Sequence, residues 1–515
     1  MRVLLLNPPH PAVSSRCHES RMPPLGLLAV GGPLLDSGHA VRLIDAEFGP
    51  LSTQEIVFRA TAWRPDTVFI GHSGSTSAHP VTVKIARTLK AAMPSVWMVY
   101  GGPDPTYHAV EILSSHSEID VIVRGEGEAT SPLLLAAIET GVSLSSVPGI
   151  AYRQGGLLCV TPPAAPIPNL DAVRVGWELI EDWERYQYWG AGCAAVVQFS
   201  RGCPHYCTYC GQRGFWTRWR HRDPARTAAE IGWLHHAHGI RFVDLADENP
   251  TSSQRLWREF LEALIAENVP VELVATIRAG DIVRDAEMLH LYKRAGFSRI
   301  LMGVETTNAE TQARIRKGAT IVTDRQAVRL LRRHDILSQV AYVVGFEEET
   351  DRDLLHGLRQ LLSYDPDLIN AMYVTPHRWT PFYRESAARR VVESDQSRWD
   401  YRHQVLATSI PPWRLFLWVK LTEAILQLRP RALWRVLAHR DPGIREALRW
   451  CYRVGKRAWL FEVRVFLFQR RRRPADLSLA EFCGAPQDAE EEILAPASPA
   501  QSKSPEVGEQ LTSVR

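Results

Sequence analysis

Three cysteines stand within eight positions, Cys203, Cys207 and Cys210, in the stretch SRGCPHYCTYCGQRGFWTRWRHRDP. Thiolates are soft ligands, and C-x3-C-x2-C spacing lets three of them reach one iron-sulfur cluster or supply part of a zinc site. A structural zinc site wants a fourth protein ligand, for which His205 and His221 are at hand. A four-iron cluster held by three cysteines leaves one iron open to a molecule offering an amino and a carboxylate group. The stretch continues through Trp216, Arg218, Trp219 and Arg220. Indole faces stack on flat rings, and guanidiniums pair with carboxylates.

Such residues act only where a fold converges them. From residue 1 to 150, near-continuous apolar strands alternate with helical patterns (VLLLN, AVRLID, TVFIGHS, VWMVYGG, DVIVRGEGE). This predicts an α/β, doubly wound, flavodoxin- or Rossmann-like domain. Its strands end in small residues, among them Ser73, Ser75, Thr76, Gly101, Gly102 and Gly125-Glu126, where a flat cofactor can approach the backbone. Residues 151–195 read as a connector. Residues 196–385 give about six βα units, a partial (β/α)6 barrel with the cysteine loop after its first strand, at the end where barrels place function. Residues 386–473 form a helical basic region rich in Trp, closing on Arg470 to Arg473, and residues 474–515, rich in Ala, Pro, Ser and Glu, are expected to be disordered.

The bulk properties narrow the class. The chain has 515 residues, 45% hydrophobic, with a formal charge of +3. That is room for two or three domains, and too little net charge for general nucleic-acid binding. Eight cysteines, three clustered and five scattered, suit a reducing cytoplasm rather than a disulfide framework. The opening MRVLLLNPPHPAV reads as a buried strand and not as a signal peptide, and no stretch is apolar enough to span a membrane.

Cys203-Pro204-His205-Tyr206-Cys207-Thr208-Tyr209-Cys210 resembles the signature of the radical S-adenosylmethionine enzymes. The resemblance implies that the three cysteines hold a [4Fe-4S] cluster, whose open iron chelates S-adenosylmethionine and whose electron cleaves it to a 5′-deoxyadenosyl radical. It also implies contacts to S-adenosylmethionine from Tyr209, Glu248, Arg278, Glu305 and Gly345. Asp247-Glu248-Asn249-Pro250 stands where the family has Gly-Gly-Glu-Pro, without the glycines. The first domain resembles the cobalamin-binding domain that precedes many of these enzymes, through Pro23-Pro24-Leu25-Gly26, Pro65-Asp66, Gly101-Gly102 and Arg124 to Glu128. The implied cobalamin contacts are Ser73, Ser75, Thr76, Gly101, Gly102, Gly125 and Glu126. No D-x-H-x-x-G sequence supplies a histidine to cobalt, although His72, His79 and His108 lie near strand ends.

Within that family the run from Gly214 to Pro224, followed by LADENPT, is most similar to the anaerobic oxidative cyclases of magnesium-protoporphyrin IX monomethyl ester, over residues 1 to 470. The implied reaction closes the isocyclic ring of bacteriochlorophyll precursors with oxygen from water. Trp216, Arg218, Trp219 and Arg220 would contact the tetrapyrrole, and flavodoxin or ferredoxin would donate electrons. No acid-base residue is singled out. Two alternatives stand beside it: a cobalamin-dependent radical methyltransferase acting on a tetrapyrrole or another unactivated carbon, and a non-catalytic cobalamin- or tetrapyrrole-binding sensor. The expected location is cytoplasmic, with the Trp- and Arg-rich helices either against the inner face of the membrane or packed on the barrel.

Overall fold

The computed structural model describes residues 1–9, 21–72, 76–188, 192–212, 214–216, 218–468 and 476–486. A first sheet has seven strands: β1 (Arg2–Asn7), β2 (Ala40–Asp45), β3 (Thr67–Gly71), β4 (Trp97–Gly101), β5 (Val121–Val123), β6 (Ile150–Gln154) and β7 (Leu157–Val160). Their order is 2-1-3-4-5-6-7, with β1 to β5 parallel and β6 and β7 antiparallel at the edge. The order 2-1-3-4-5 is the flavodoxin-like one, which opens a crevice where β1 and β3 send their chains to opposite faces.

The run VLLL of β1 shows why the sheet is covered twice. Val3 and Leu5 enter one core with Leu28 of helix Leu25–Asp36 and Leu134 of helix Gly127–Thr140. Leu4 and Leu6 enter another with Ile56 of helix Thr53–Trp63 and Ile85 of helix His79–Ala92. Side chains alternate across a strand, so a continuous apolar run needs helices on both faces.

The second sheet is parallel and six-stranded: β8 (Ala194–Val197), β11 (Phe242–Leu245), β12 (Glu272–Thr276), β13 (Phe297–Glu305), β14 (Leu337–Val344) and β15 (Leu368–Tyr373), in that order. Between β8 and β11 a short antiparallel pair, β9 (Ser200–Arg201) and β10 (Arg220–His221), forms the root of the cysteine loop. β8 and β15 do not pair, so the barrel is open on one side. The long helix Pro442–Phe468 lies at that opening, with Ile444, Leu448 and Cys451 packed on Leu337 and Leu368 at the starts of β14 and β15.

Three boundaries differ from those expected. The first sheet runs past residue 150, because β6 and β7 add a hairpin that covers the edge of β5. The connector then wraps both units: the Tyr186 hydroxyl donates to Asp45 at 3.0 Å, and the Trp177 indole to Glu230 at 2.8 Å. The C-terminal helices begin at Pro412; residues 386–411 are mostly irregular, with a small core of Val391, Trp399, Val405 and Leu406. Within the tail expected to be disordered, helix Leu479–Cys483 docks on that core, with Leu479 fully buried and Ser478 and Glu481 closing a capping box. Arg470 to Arg473 and the tail beyond 486 lie outside the described residues.

Candidate active site between the two sheets

The cysteine loop is fixed by the end of β11. Asp247 accepts from the Phe199 amide at 3.0 Å and from the amide and hydroxyl of Ser200. Glu248 accepts from the Gly202 amide at 3.1 Å, one residue before Cys203. The carbonyl of Asn249 takes the Trp219 indole at 3.1 Å. Gly202 has φ +91°, and a Cβ there would meet the Arg218 carbonyl at 2.5 Å, so only glycine lets the two arms of the loop cross. The far side is tied by the Thr208 amide to the Ile315 carbonyl at 3.1 Å and by the Trp379 indole to the Gly211 carbonyl at 2.9 Å.

Cys203, Cys207 and Cys210 are partly buried and free of disulfides. Burial pushes the Cys210 thiol up to about 11, with Cys207 and Cys203 adding to the push, and raises Cys203 as well. The three sulfurs therefore share one electrostatic environment, in which thiolates are costly until a metal charge offsets them. Among the described residues no three of His, Cys, Asp or Glu close round a single point as ligands of one ion would. A cluster spreads its thiolates over separate irons, and this donor set fits it.

Around the loop, Tyr209 is hydrogen-bonded to Glu305, which pairs with the Lys317 ammonium at 2.7 Å. Glu305 has φ +63°, an uncommon conformation for a side-chain-bearing residue, at the end of β13. Gly303 makes room for the pair: a Cβ there would stand 2.0 Å from Glu305 and 2.4 Å from Lys317. Arg278 donates to the Lys317 carbonyl. Asp324 faces this pair, fully buried, and neither oxygen has a hydrogen-bond partner among the described residues. Burial pushes it up to about 7, Lys317 opposing and Glu305 adding. Gly345 ends β14 with φ +97°, its amide on Glu349 at 2.6 Å and its carbonyl on Arg389 at 3.1 Å. Thus Tyr209, Arg278, Glu305 and Glu248 gather around the cysteines, while Gly345 is held by its own loop.

A cavity of about 1300 Å³ joins the ends of both sheets. On the first domain's side it is lined by Gly71, His72, Gly101, Gly102 and Gly125, at the ends of β3, β4 and β5. A Cβ at Gly125 would meet nothing within 4 Å, and Gly102, with φ +120°, passes the His72 carbonyl. This cradle without side chains, beside the crevice of the 2-1-3-4-5 sheet, fits a large flat cofactor such as cobalamin. His72 bonds Tyr100 at 3.1 Å, and Asp104 holds His108 at 3.3 Å and His79 at 3.9 Å. Thr76 sits in a 3-10 turn away from the cavity lining, and Ser73 and Ser75 lie outside the described residues.

On the barrel side the cavity is lined by Val197, Phe215, Trp216, Asp244 and Glu248. Of the four residues expected on the substrate, Trp216 faces this space, with the Arg201 guanidinium 4.7 Å from its ring centre. Arg218 is exposed, and Trp219 is tied to Asn249. Arg220 is committed to Glu126 and the Ile167 carbonyl, with contacts of 3.0 and 2.7 Å. Glu126 lines the cavity and, through this bond, also serves a clasp between domains, joined by Arg201 on Glu128. Phe215 belongs to the run from Gly214 to Pro224, whereas Arg201 and Asp244 carry no motif of their own. A carboxylate inside the apolar strand FVDL was the available signal for Asp244, which burial pushes up to about 6.

Residues 197–361 match the Radical SAM superfamily and residues 13–135 the B12 binding domain. The chain is 54% identical, over 95% of its length and 98% of the relative's, to the anaerobic magnesium-protoporphyrin IX monomethyl ester cyclase of Synechocystis sp.. The chain belongs to the radical SAM superfamily, in its B12-binding branch. A second such relative, the anaerobic magnesium-protoporphyrin IX monomethyl ester cyclase of Rubrivivax gelatinosus, is 32% identical over 75% of this chain and 70% of its own. Among solved structures, the cobalamin-dependent S-adenosylmethionine radical enzyme OxsB matches with TM-score 0.66 and 17% identity, over 92% of this chain and 73% of that one. That likeness shows the fold. A radical SAM enzyme of this branch uses a [4Fe-4S] cluster, S-adenosylmethionine and cobalamin, and the cysteine triangle and the glycine cradle are where this chain has donors and space for them.

Proposed function

We propose that this protein is an anaerobic magnesium-protoporphyrin IX monomethyl ester cyclase, forming the isocyclic ring of bacteriochlorophyll precursors with oxygen from water. The observation that carries this reading is the match to the Synechocystis cyclase along nearly its whole length, which takes in the cavity and the C-terminal helices together. The site is consistent with it. A cavity of about 1300 Å³ exceeds the roughly 300–1,000 Å³ of most single-ligand sites, as a macrocycle lying against a second macrocyclic cofactor requires.

When bound, the cluster, S-adenosylmethionine and cobalamin supply hydrogen abstraction and redox chemistry at unactivated carbon. The chain's own residues do the rest. Cys203, Cys207 and Cys210 would hold the cluster; Glu248, Tyr209, Arg278 and Glu305 would orient S-adenosylmethionine beside it; Gly101, Gly102 and Gly125 would bed cobalamin. Trp216 offers the tetrapyrrole a stacking face, stiffened by Arg201. The apolar walls keep water from reactive species. Asp244, inside the barrel and lining the same cavity, is placed to hold a proton removed from the side chain during closure.

A flavodoxin- or ferredoxin-type donor would supply electrons, and the basic C-terminal helices would touch a membrane. Anaerobic incubation with magnesium-protoporphyrin IX monomethyl ester tests the reading: protochlorophyllide absorption supports it, and deoxyadenosine without any change in the porphyrin refutes the substrate. Because relatives of this branch include methyltransferases, a methylated porphyrin would move the assignment to that reaction.

A further inference from the structure

The cavity does not end inside the barrel. Its wall continues along two C-terminal helices, Pro412–Leu428 and Pro442–Phe468, through Gln427, Leu428, Tyr452, Arg453, Lys456 and Leu460. Leu428 is 63% exposed and Leu460 50%, and Arg453 and Lys456 are exposed as well, so this end opens at the surface. It is a mouth remote in sequence from the cysteine loop and built from a strongly basic region.

The surface around it is unusual for a protein in water. On helix Pro442–Phe468, Arg449, Arg453, Arg457, Leu460, Arg464 and Leu467 are all exposed, at spacings of three and four that align them on one face. On the neighbouring helix Pro430–Ala438, Trp434 and Leu437 are 69% and 66% exposed, and Trp413, Leu417 and Leu421 form an exposed stripe on helix Pro412–Leu428. Large apolar side chains grouped like this mark an interaction surface. Between residues 429 and 468 the chain has ten Lys and Arg against three Asp and Glu; Arg429 and Arg435 are spent on Asp365, while one of the acids, Glu462, is buried on Arg402 and Lys420. Among the described residues no helix is long and apolar enough to cross a membrane. Cations interleaved with exposed Trp, Leu and Phe are the composition of helices that lie in the headgroup layer, where each cation near an anionic surface adds to binding.

We propose that this helical face docks on an anionic bilayer and presents this mouth to it, so that a tetrapyrrole dissolved in the membrane enters the cavity without crossing water. The identity of the ligand rests on the cyclase reading above; the docking surface does not.

The test uses the full chain with its cofactors and vesicles of phosphatidylcholine, with or without phosphatidylglycerol. Flotation should show binding to the anionic vesicles, weakened by salt and reduced about tenfold in the double variant Trp434→Glu, Leu437→Glu. Turnover is then compared for magnesium-protoporphyrin IX monomethyl ester dispersed in detergent and held in those vesicles. The double variant should match the parent in detergent, which shows that it folds, and fall about tenfold behind with vesicle-held substrate. A parent protein that ignores anionic vesicles, or a variant that keeps pace on vesicle-held substrate, overturns the proposal. Vesicle binding with no porphyrin product even in detergent overturns the cyclase reading instead and leaves the docking surface standing.

Discussion

Arg220 and Glu126, 94 positions apart, form one buried ion pair that locks the cysteine loop's root to the last parallel strand end of the first domain. Arg220 also holds the Ile167 carbonyl, and the Glu126 carboxylate takes the Ile167 amide, so the connector is drawn into the same knot. The cofactor-bearing ends of the two sheets are thereby set in one orientation.

Breaking that pair should cost stability before it costs binding. Arg220→Ala leaves Glu126 buried without its main partner and should lower unfolding stability by about 3 kcal/mol. Chemical denaturation measures this. A variant of parental stability with a raised KM for the porphyrin would return Arg220 to the substrate.

The two tryptophans of the loop should separate. Trp216→Ala removes a cavity wall and should raise KM for the tetrapyrrole several-fold with little loss of stability. Trp219→Ala removes an indole packed on the core and bonded to Asn249, and should lower stability by about 3 kcal/mol. Denaturation midpoints and KM measured on both variants check the contrast; equal effects would contradict it.

Much of this was written in the sequence in local form. The apolar runs VLLL and TVFIG announced a sheet covered on both faces, and the cysteine spacing announced a thiolate metal site, which the resemblance to the radical S-adenosylmethionine signature narrowed to a cluster, because these signals lie within a few residues. The fate of Arg220 was not local. Its partner comes from another domain, and an arginine beside tryptophans reads equally as a carboxylate-binding site or as half of a clasp. Residues 476–486 misled for a related reason: so short a piece beside an Ala-, Pro-, Ser- and Glu-rich tail has no core of its own, and what orders it is the pocket formed by Val391 and Trp399.

Gly202→Ala should abolish cluster loading. The added methyl would collide with the Arg218 carbonyl at a φ that disfavours any side chain, so the loop cannot close. Iron and sulfide content, with the charge-transfer absorption of the cluster, reads the outcome; parental loading would show that the loop tolerates another path. Cys210→Ala should give the same loss and no cleavage of S-adenosylmethionine.

Asp324 predicts a pH dependence. Its carboxyl ionises near 3.8 in the unfolded chain but holds its proton to about 7 in the fold, because burial disfavours the charge. Between those values the folded state binds the extra proton, so this group's contribution to stability is greatest below about pH 4 and is lost as pH rises to 7. Asp324→Asn should remove that decline and be more stable than the parent at neutral pH by roughly 4 kcal/mol. Denaturation at pH 5 and at pH 8 checks it; parallel losses in both proteins would assign the slope to other groups.

The central claim is the reaction. The reconstituted protein, incubated without dioxygen in heavy-oxygen water with S-adenosylmethionine, cobalamin, a reductant and magnesium-protoporphyrin IX monomethyl ester, should yield a product that has lost four hydrogens and gained one heavy oxygen, absorbing as protochlorophyllide. A product that has gained a methyl group and carries no heavy oxygen would contradict the account and make the protein a methyltransferase.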